Sequence, residues 1–307
     1  MADIVILGVF VADAAYRAGR LPRMGETILG SGFALGPGGK GSNQAVACGR
    51  AGARVAMLAR IGRDTFGDMA EETWRAAGVA FAGDRVDEPT GSAMIFVDEA
   101  SGDNAIVIVP GAAAGIGPAD VEARRDLIGG AKVFVTQLEQ PVGAATAGLR
   151  IAREAGVVTL LNPAPAMPLP DEVLAMCDYV TPNETEAEAL TGIAVADEDG
   201  ARRAADALLA KGVAEAVILT LGARGALFHA RGVSEVVPAR PAGPVVETTG
   251  AGDAFNAGFA TALAEGRAPF DAVRFGNALA GLSITRPGAA ASMPTRAEID
   301  AHLAGRA

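Results

Sequence analysis

Two cysteines, Cys48 and Cys177, are all that 307 residues contain. So few and so far apart, they build no disulfide framework and carry no metal-ligand spacing, which suits a reducing compartment. Histidine is as scarce. His229 and His302 are too few for a histidine metal site and badly placed for a triad, and His302, near the chain end, is expected to be solvated. Positive charge is short too: 26 Lys and Arg against 36 Asp and Glu give a formal net charge of −10. General attraction to nucleic acid or an anionic membrane is therefore not expected, and any phosphate must be held by local geometry. No apolar run is long enough to cross a bilayer, and residues 1–6 carry no basic stretch ahead of an apolar one. The expectation is a soluble, cytoplasmic protein acting on a small molecule.

Glycine, by contrast, is plentiful at 40 of 307, roughly 13% against an average of about 7%. Because hydrophobic residues make up 50% of the chain, this excess speaks for tight turns and close backbone approaches and not for disorder. The stretch that organises the rest is Glu247-Thr248-Thr249-Gly250-Ala251-Gly252-Asp253. A helix is expected from Gly252 or Asp253, since Phe255, Phe259, Ala262 and Leu263 share one face, with Gly266 as its stop. The mouth of such a helix favours anions, and glycines let its amides approach them. Asp253 in the first turn could accept a proton from a hydroxyl held against it, so cradle and base together suggest phosphoryl transfer to an alcohol. On this turn alone, a glycine bend closed by a helix-favouring Asp explains the residues equally simply.

Taken in order, residues 4–11 predict a strand buried in a parallel sheet, with Asp13 just beyond its end, where open α/β sheets bind ligands. Residues 25–35 read as a small hairpin. A glycine-dense loop, Gly36-Pro37-Gly38-Gly39-Lys40-Gly41-Ser42-Asn43, then opens a helix at Gln44. It is not a Walker P-loop, because Ala34 and Gly41 stand where a glycine and a Ser or Thr are required. Nor does it follow a clear strand, as a dinucleotide fingerprint must. It suits a small polar molecule at close range. Further expected are a strand over 54–60, a helix over 65–77, and a hairpin of strands 92–97 and 104–109 that, with the 25–35 segment, forms a small separate sheet usable as a lid. From 118 the order helix to 127, strand 132–136, helix 142–155, strand 157–161 is that of an α/β sheet with helices on both faces. Glu139 and Asn162 fall just past strands. Asn183 and Glu186 have the spacing of a capping box, which does not preclude contact with metal or phosphate. A strand over 216–221, a hairpin of 225–229 with 233–237, a helix over 270–285 with polar Asn277 in its apolar face, and a last helix over 296–303 complete the pattern. Asn277 needs partners, from backbone or from a ligand.

With these pieces in sequence order, the chain resembles the ribokinase-like carbohydrate kinases. The likeness runs nearly end to end, through Asp13, Gly38 to Asn43, Gln137-Leu138-Glu139, Thr181 to Glu188, Thr220 to Gly225 and Thr249 to Asp253. It implies one α/β domain over residues 1–307, a three-layer, mostly parallel sheet between helices, with a small β-sheet lid from about 10–38 and 90–112 through which a homodimer forms. It implies that Asp253 is the base and that the amides of Gly250, Ala251 and Gly252 form the anion hole. Asp13, Gly39, Lys40, Gly41, Ser42, Asn43 and Glu139, with position 11, would surround the sugar. Asn183, Thr220, Leu221, Gly222, Ala223, Arg224, Gly225, Gly252 and Asn277 would line ATP, with Glu186 organising Mg²⁺. Glu247 and Thr249, with the backbone of Ser283, Arg286 and Gly288, and Ser292, would hold a monovalent cation, K⁺.

Three departures from the family pattern bear on this expectation. Glu247 stands where the family usually has Asp, and Val11 and Ala113 each replace an Asn. Loss of two amides near the sugar favours a different or less hydroxylated ligand. Phosphorylation of ribose at its primary hydroxyl is the first expectation. Another furanose (deoxyribose, a ketohexose or a nucleoside) and a non-catalytic sugar- or nucleotide-binding protein are the alternatives, with a dinucleotide-dependent oxidoreductase a distant third.

Overall fold

Gly8 decides where the first strand stops. The apolar run 4–11 predicts one strand, but only β1 (Ile4–Leu7) joins the main sheet. A Cβ on Gly8 would lie 2.7 Å from Gly41 Cα and 2.5 Å from Gln137 Oε1, so the chain leaves the sheet at a point too crowded for a side chain. It then starts β2 (Val11–Ala18) in a different sheet. Asp13 is therefore the third residue of that second sheet and not the end of a central strand. The computed structural model describes residues 2–305.

Among these residues the main sheet has nine strands, in the order β15 (Val233–Val237), β14 (Ala226–Ala230), β13 (Ala216–Thr220), β12 (Tyr179–Val180), β11 (Val158–Leu161), β10 (Val133–Thr136), β1, β4 (Val55–Leu58) and β6 (Val79–Phe81). All neighbours from β13 to β6 run parallel, and β14 and β15 close one edge antiparallel. Side chains alternate across the sheet. Ile4 and Ile6 join a core with helices α1 (Lys40–Arg50), α2 (Thr65–Ala76), α9 (Ala251–Ala264), α10 (Pro269–Ser283) and α11 (Arg296–Leu303). Val5 and Leu7 join another with α3 (Pro118–Glu122), α4 (Arg125–Gly129), α5 (Val142–Glu154), α6 (Asp171–Leu174), α7 (Glu184–Thr191) and α8 (Glu198–Ala210). The result is helices, sheet, helices.

The second sheet has four strands in the order β3 (Gly32–Gly38), β2, β8 (Ser92–Asp98) and β9 (Asn104–Val109). Val11 and Ala93 on one of its faces pack with Val9, Ala113 and Ile95. Tyr16, Phe33, Leu35, Met94 and the run Ile106, Val107, Ile108 and Val109 are exposed. The 25–35 segment is not a hairpin, since a strand begins only at Gly32 and pairs back to β2. The 54–60 strand is divided: β4 ends at Leu58, and β5 (Arg60–Gly62) pairs with β7 (Asp84–Val86). The helix expected over 118–127 is likewise two short ones, α3 and α4. His302 is buried, with Nε2 3.2 Å from Arg240 O, because α11 folds against the loop that carries Arg240.

Candidate active site

Two helices start on left-handed glycines and converge at the C-terminal ends of β1 and β10, where the strand order reverses and open α/β sheets form ligand crevices. Helix α1 starts at Lys40, four residues before the expected Gln44, so Lys40, Gly41, Ser42 and Asn43 form its first turn and not a loop. Its cap, Gly39, has φ 88° and no room for a Cβ, which would meet Val9 O at 2.6 Å. With no side-chain cap of its own, α1 is closed by Glu139, whose Oε2 accepts the Lys40 backbone N–H at 2.7 Å. Anions are favoured at that helix end.

Helix α9 starts from Gly250 at φ 78°, also without a side-chain cap. Ala251 N–H donates to Thr248 O at 3.1 Å, so this amide is used within the turn and does not face a ligand. Among the described residues the amides of Gly250, Gly252 and Asp253 donate to no protein atom. Gly252 is exposed, with open space where a Cβ would be. Two turns of buried chain away from solvent, such amides would be costly, but at an open helix mouth they are ready for an anion.

In the same turn, Asp253 is buried. Its Oδ2 accepts from Asn43 Nδ2 at 2.9 Å and its Oδ1 from Gln44 Nε2 at 3.1 Å. Burial raises its pKa, and the Lys40 charge and the two amides oppose that rise. Three more carboxyls stand nearby. Burial takes Glu139 to about 7, against the pull of Lys40 and with the repulsion of Asp253 and Asp13. Asp13 rises to about 6 through burial. Glu186 is also raised by burial. Among the described residues Lys40 forms no ion pair, yet its charge acts on Glu139, Glu186 and Asp253 alike. Asp13 lies so close to Gly38 that any Cβ there would collide with its carboxylate. Asp13, Gly39, Lys40, Asn43, Glu139 and Asp253 thus gather around one crevice, while Val11, two residues before Asp13, is buried with Val9, Ala93 and Ala113.

Two residues of the α1 turn play other parts. Ser42 is fully buried, and its hydroxyl accepts from Trp74 Nε1 at 3.0 Å, so it anchors α2 and does not face a ligand. Gly41 is a spacer that lets α1 touch Gly8.

On the far side of α9, Asn183 caps α7 and bridges to Thr220. The capping box is complete: Glu186 N donates to Asn183 Oδ1 at 2.8 Å, and Glu186 Oε2 accepts from Asn183 N at 2.9 Å. Gly222, Ala223 and Arg224 form an exposed turn after β13, ended by Gly225 at φ 101°. Leu221 does not face outward, because its side chain packs with Ala187, Leu219 and Leu227. Asn277 finds its partners in the backbone: Nδ2 donates to Val237 O and Pro238 O, both at 3.0 Å, tying α10 to the end of β15. Two loops meet beside Gly250. Glu247 Oε2 accepts Gly288 N at 2.8 Å, Glu247 N donates to Ile284 O at 3.2 Å, and Gly250 lies against Ala289. Ser283 and Ser292 spend their hydroxyl hydrogens on Ala280 O and Ala289 O, keeping oxygen lone pairs. The Arg286 guanidinium pairs with Glu298 at 2.6 Å.

Residues 1–296 match the family described as pfkB family carbohydrate kinase. The chain belongs to that family. It is 39% identical to a ribokinase of Haemophilus influenzae, over 96% of either chain, and 38% identical to one of Schizosaccharomyces pombe, over 98% of this chain and 97% of the other. Among solved structures, an Arabidopsis thaliana ribokinase complexed with ribose and ATP superposes with a TM-score of 0.93 at 31% identity, covering 98% of each chain. The chain is a carbohydrate kinase of the ribokinase-like fold.

The kinase crevice also contains polar residues that local sequence patterns do not single out. Gln44 is fully buried between Asp253, Asn162 and Gln137. Asn256 Nδ2 donates to Gly252 O at 2.9 Å, and its Oδ1 accepts from Thr181 Oγ1 at 2.5 Å, pinning the α9 turn to the end of β12. Gln44 and Asn256 lie inside α1 and α9, and no local signal marks them, because their partners Asn162 and Thr181 stand just past strands β11 and β12, far along the chain.

Proposed function

We propose that this carbohydrate kinase moves the γ-phosphoryl group of ATP to the primary hydroxyl of a pentose, ribose in the first place, giving ribose 5-phosphate. The observation that carries the reading is the buried Asp253 carboxylate in the first turn of α9, the turn whose Gly250 and Gly252 amides have no partner among the described residues. The hydroxyl proton passes to Asp253, the oxygen forms its bond to phosphorus as the bond to the bridging oxygen of ADP breaks, and the amides meet the charge on the equatorial oxygens. Although both Asp253 oxygens already accept one bond, each carboxylate oxygen can accept two.

The sugar lies against Asp13, Gly39, Lys40, Asn43 and Glu139. Asn43 Oδ1 is a buried acceptor without a partner among the described residues, and a sugar hydroxyl supplies the missing donor. The nucleotide lies along Asn183, Thr220 and the turn Gly222 to Gly225; the exposure of that turn after β13 supports this placement. No cluster of three metal-ligating side chains occurs among the described residues. That suits Mg²⁺, which keeps its waters and is held by one or two carboxylates plus phosphates, here through Glu186. When bound it neutralises phosphate charge. The oxygens of Glu247, Ser283, Gly288 and Ser292 beside Gly250, with only one carboxylate among them, fit a singly charged cation such as K⁺.

The exposed apolar strands of the second sheet support its use as a lid and as the face joining two copies. Among the described residues no helix is long and apolar enough to cross a membrane, and both cysteines are free, as a reducing compartment keeps them. A second reading has one observation behind it: Val11 and Ala113 share a single apolar cluster, so that wall of the sugar site offers no hydrogen bond. A furanose lacking one hydroxyl, such as deoxyribose, meets it without loss.

ADP release across a panel of pentoses, deoxypentoses, ketohexoses and nucleosides tests both. Ribose or deoxyribose is expected to lead by at least tenfold. No release with any of them, despite measurable sugar binding, would refute the kinase mechanism for this site.

A further inference from the structure

We propose that Gln44 is a positioning residue for Asp253: an amide locked so that it can present only its N–H to the carboxylate. The proposal rests on Asp253 being the base. Gln44 is fully buried on the second turn of α1 and reaches three partners 93 to 209 residues away in sequence. Its Nε2 donates to Asp253 Oδ1 at 3.1 Å and to Asn162 Oδ1 at 3.2 Å, while its Oε1 accepts from Gln137 Nε2 at 2.6 Å.

Rotating the amide by half a turn would set Gln44 oxygen against the oxygens of both Asp253 and Asn162, and nitrogen against Gln137 nitrogen. Neighbours hold that arrangement in turn. Asn162 cannot offer its nitrogen instead, because Nδ2 already donates to Thr181 O at 3.2 Å. Gln137 has given up its own acceptor to this end, since its Oε1 is buried without a partner among the described residues. A buried orphan acceptor is costly, and here the cost secures the orientation of its donor end.

The consequence is chemical. A proton on Asp253 Oδ1 would point at an N–H that cannot turn away, so the network supports the ionised carboxylate, the form able to take a proton from an alcohol. The groups acting on the same carboxylate are Lys40 and Asn43 from α1, Glu139 from the loop after β10 and Glu186 from α7. Lys40 and the two amides favour ionisation, and burial and the carboxyls oppose it. Gln44 differs from Lys40 and Asn43 in having no access to the sugar.

The test is the pH profile of single-turnover phosphoryl transfer, with wild type, Gln44→Met, Gln137→Met and Asp253→Asn compared. Met keeps the length of Gln without its donor. Gln44→Met is expected to move the acidic limb upward by about one pH unit, the usual worth of one hydrogen bond to a charged group. Turnover should return to within about threefold of wild type by roughly pH 9, with KM for the sugar changed by less than about twofold. Damage to the fold would not be repaired by alkali. Gln137→Met, which touches neither Asp253 nor the sugar, should move the limb the same way by less. An unmoved limb in Gln44→Met while Asp253→Asn has lost turnover overturns the proposal. If Gln44→Met does not fold, an unmoved limb in Gln137→Met does so. Asp253→Asn retaining turnover would instead overturn the assignment of the base.

Discussion

Replacing Glu139 by Gln should make the sugar-free kinase more stable, but only at alkaline pH. Burial, with Asp253 and Asp13 nearby, raises the Glu139 carboxyl from 4.5 to about 7, and the Lys40 N–H and charge offset only part of it. A group whose folded value is raised binds its proton more tightly when folded. Its contribution to stability is complete below about pH 4.5 and is lost as pH rises through about 7. The full loss is about 2.5 units at 1.36 kcal/mol each, about 3.4 kcal/mol. Relaxation around an ionised carboxylate, and the partner its replacement amide must find, reduce the expected gain to about 2 kcal/mol. Gln keeps a carbonyl to accept the Lys40 N–H, so the cap on α1 survives. With an unfolding entropy near 2.1 cal/mol/K per residue, 307 residues give about 0.65 kcal/mol/K, and the melting temperature should rise by about 3 °C. Calorimetric melts of wild type and Glu139→Gln at about pH 5 and about pH 8 are the assay. Near-equal melting at the lower pH and the rise at the higher are expected, together with weakened sugar binding. A difference of the same size at both values, or a variant less stable at alkaline pH, would refute the claim that an ionised Glu139 is held at a cost to the fold.

Gly38→Ala drives a methyl into the Asp13 carboxylate, so KM for the sugar should rise by tenfold or more while nucleotide affinity, read by ADP calorimetry, stays put. Gly250→Ala must hold φ 78° with a Cβ 3.1 Å from Ala289 Cα, and should cost about 1–2 kcal/mol of stability by denaturant titration, with turnover falling as the amides shift. Val11→Asn puts an amide into the apolar wall of the sugar site. It should raise the kcat/KM ratio of ribose over deoxyribose by about tenfold, and an unchanged ratio would remove that wall from the account of specificity.

Where signals were local, the sequence was readable. Thr295 and Glu298 form the complete box that starts α11, as Asn183 and Glu186 do for α7, because each pair lies within one turn. Helix α8 has an equally local start, with Asp197 accepting Gly200 N–H at 2.7 Å and Ala201, Ala204, Ala205 and Leu208 on one face, and the signal was there to be used. The end of β1 was not readable in this way, since Gly8 breaks the strand for the sake of a contact with Gly41, 33 residues on. The same applies to Ser42 and Gln44. In sequence both are polar residues in a glycine-rich helix start; their roles are set by Trp74 in one case and by Gln137, Asn162 and Asp253 in the other. The site residues lay in recognisable stretches, but which of them turn toward the crevice depended on partners far along the chain.

The two glycine-capped helices show what separates an anion that is held from one that is passed on. Both α1 and α9 begin on a positive φ without a side-chain cap, so each presents amides that want a negative charge. At α1 the chain supplies that charge itself through Glu139, and the turn becomes a fixed wall carrying Lys40 and Asn43. At α9, among the described residues, no protein group answers the amides of Gly250 and Gly252, and the carboxylate of the same turn, Asp253, is drawn toward α1 by Asn43 and Gln44. Had Asp253 folded back as an ordinary cap, it would have filled the place of a transferring phosphoryl group and lost its reach to the hydroxyl. The amide pair that holds it against α1 therefore does two things at once: it keeps the side chain from capping its own helix, and it keeps the proton acceptor in the turn that carries the free amides.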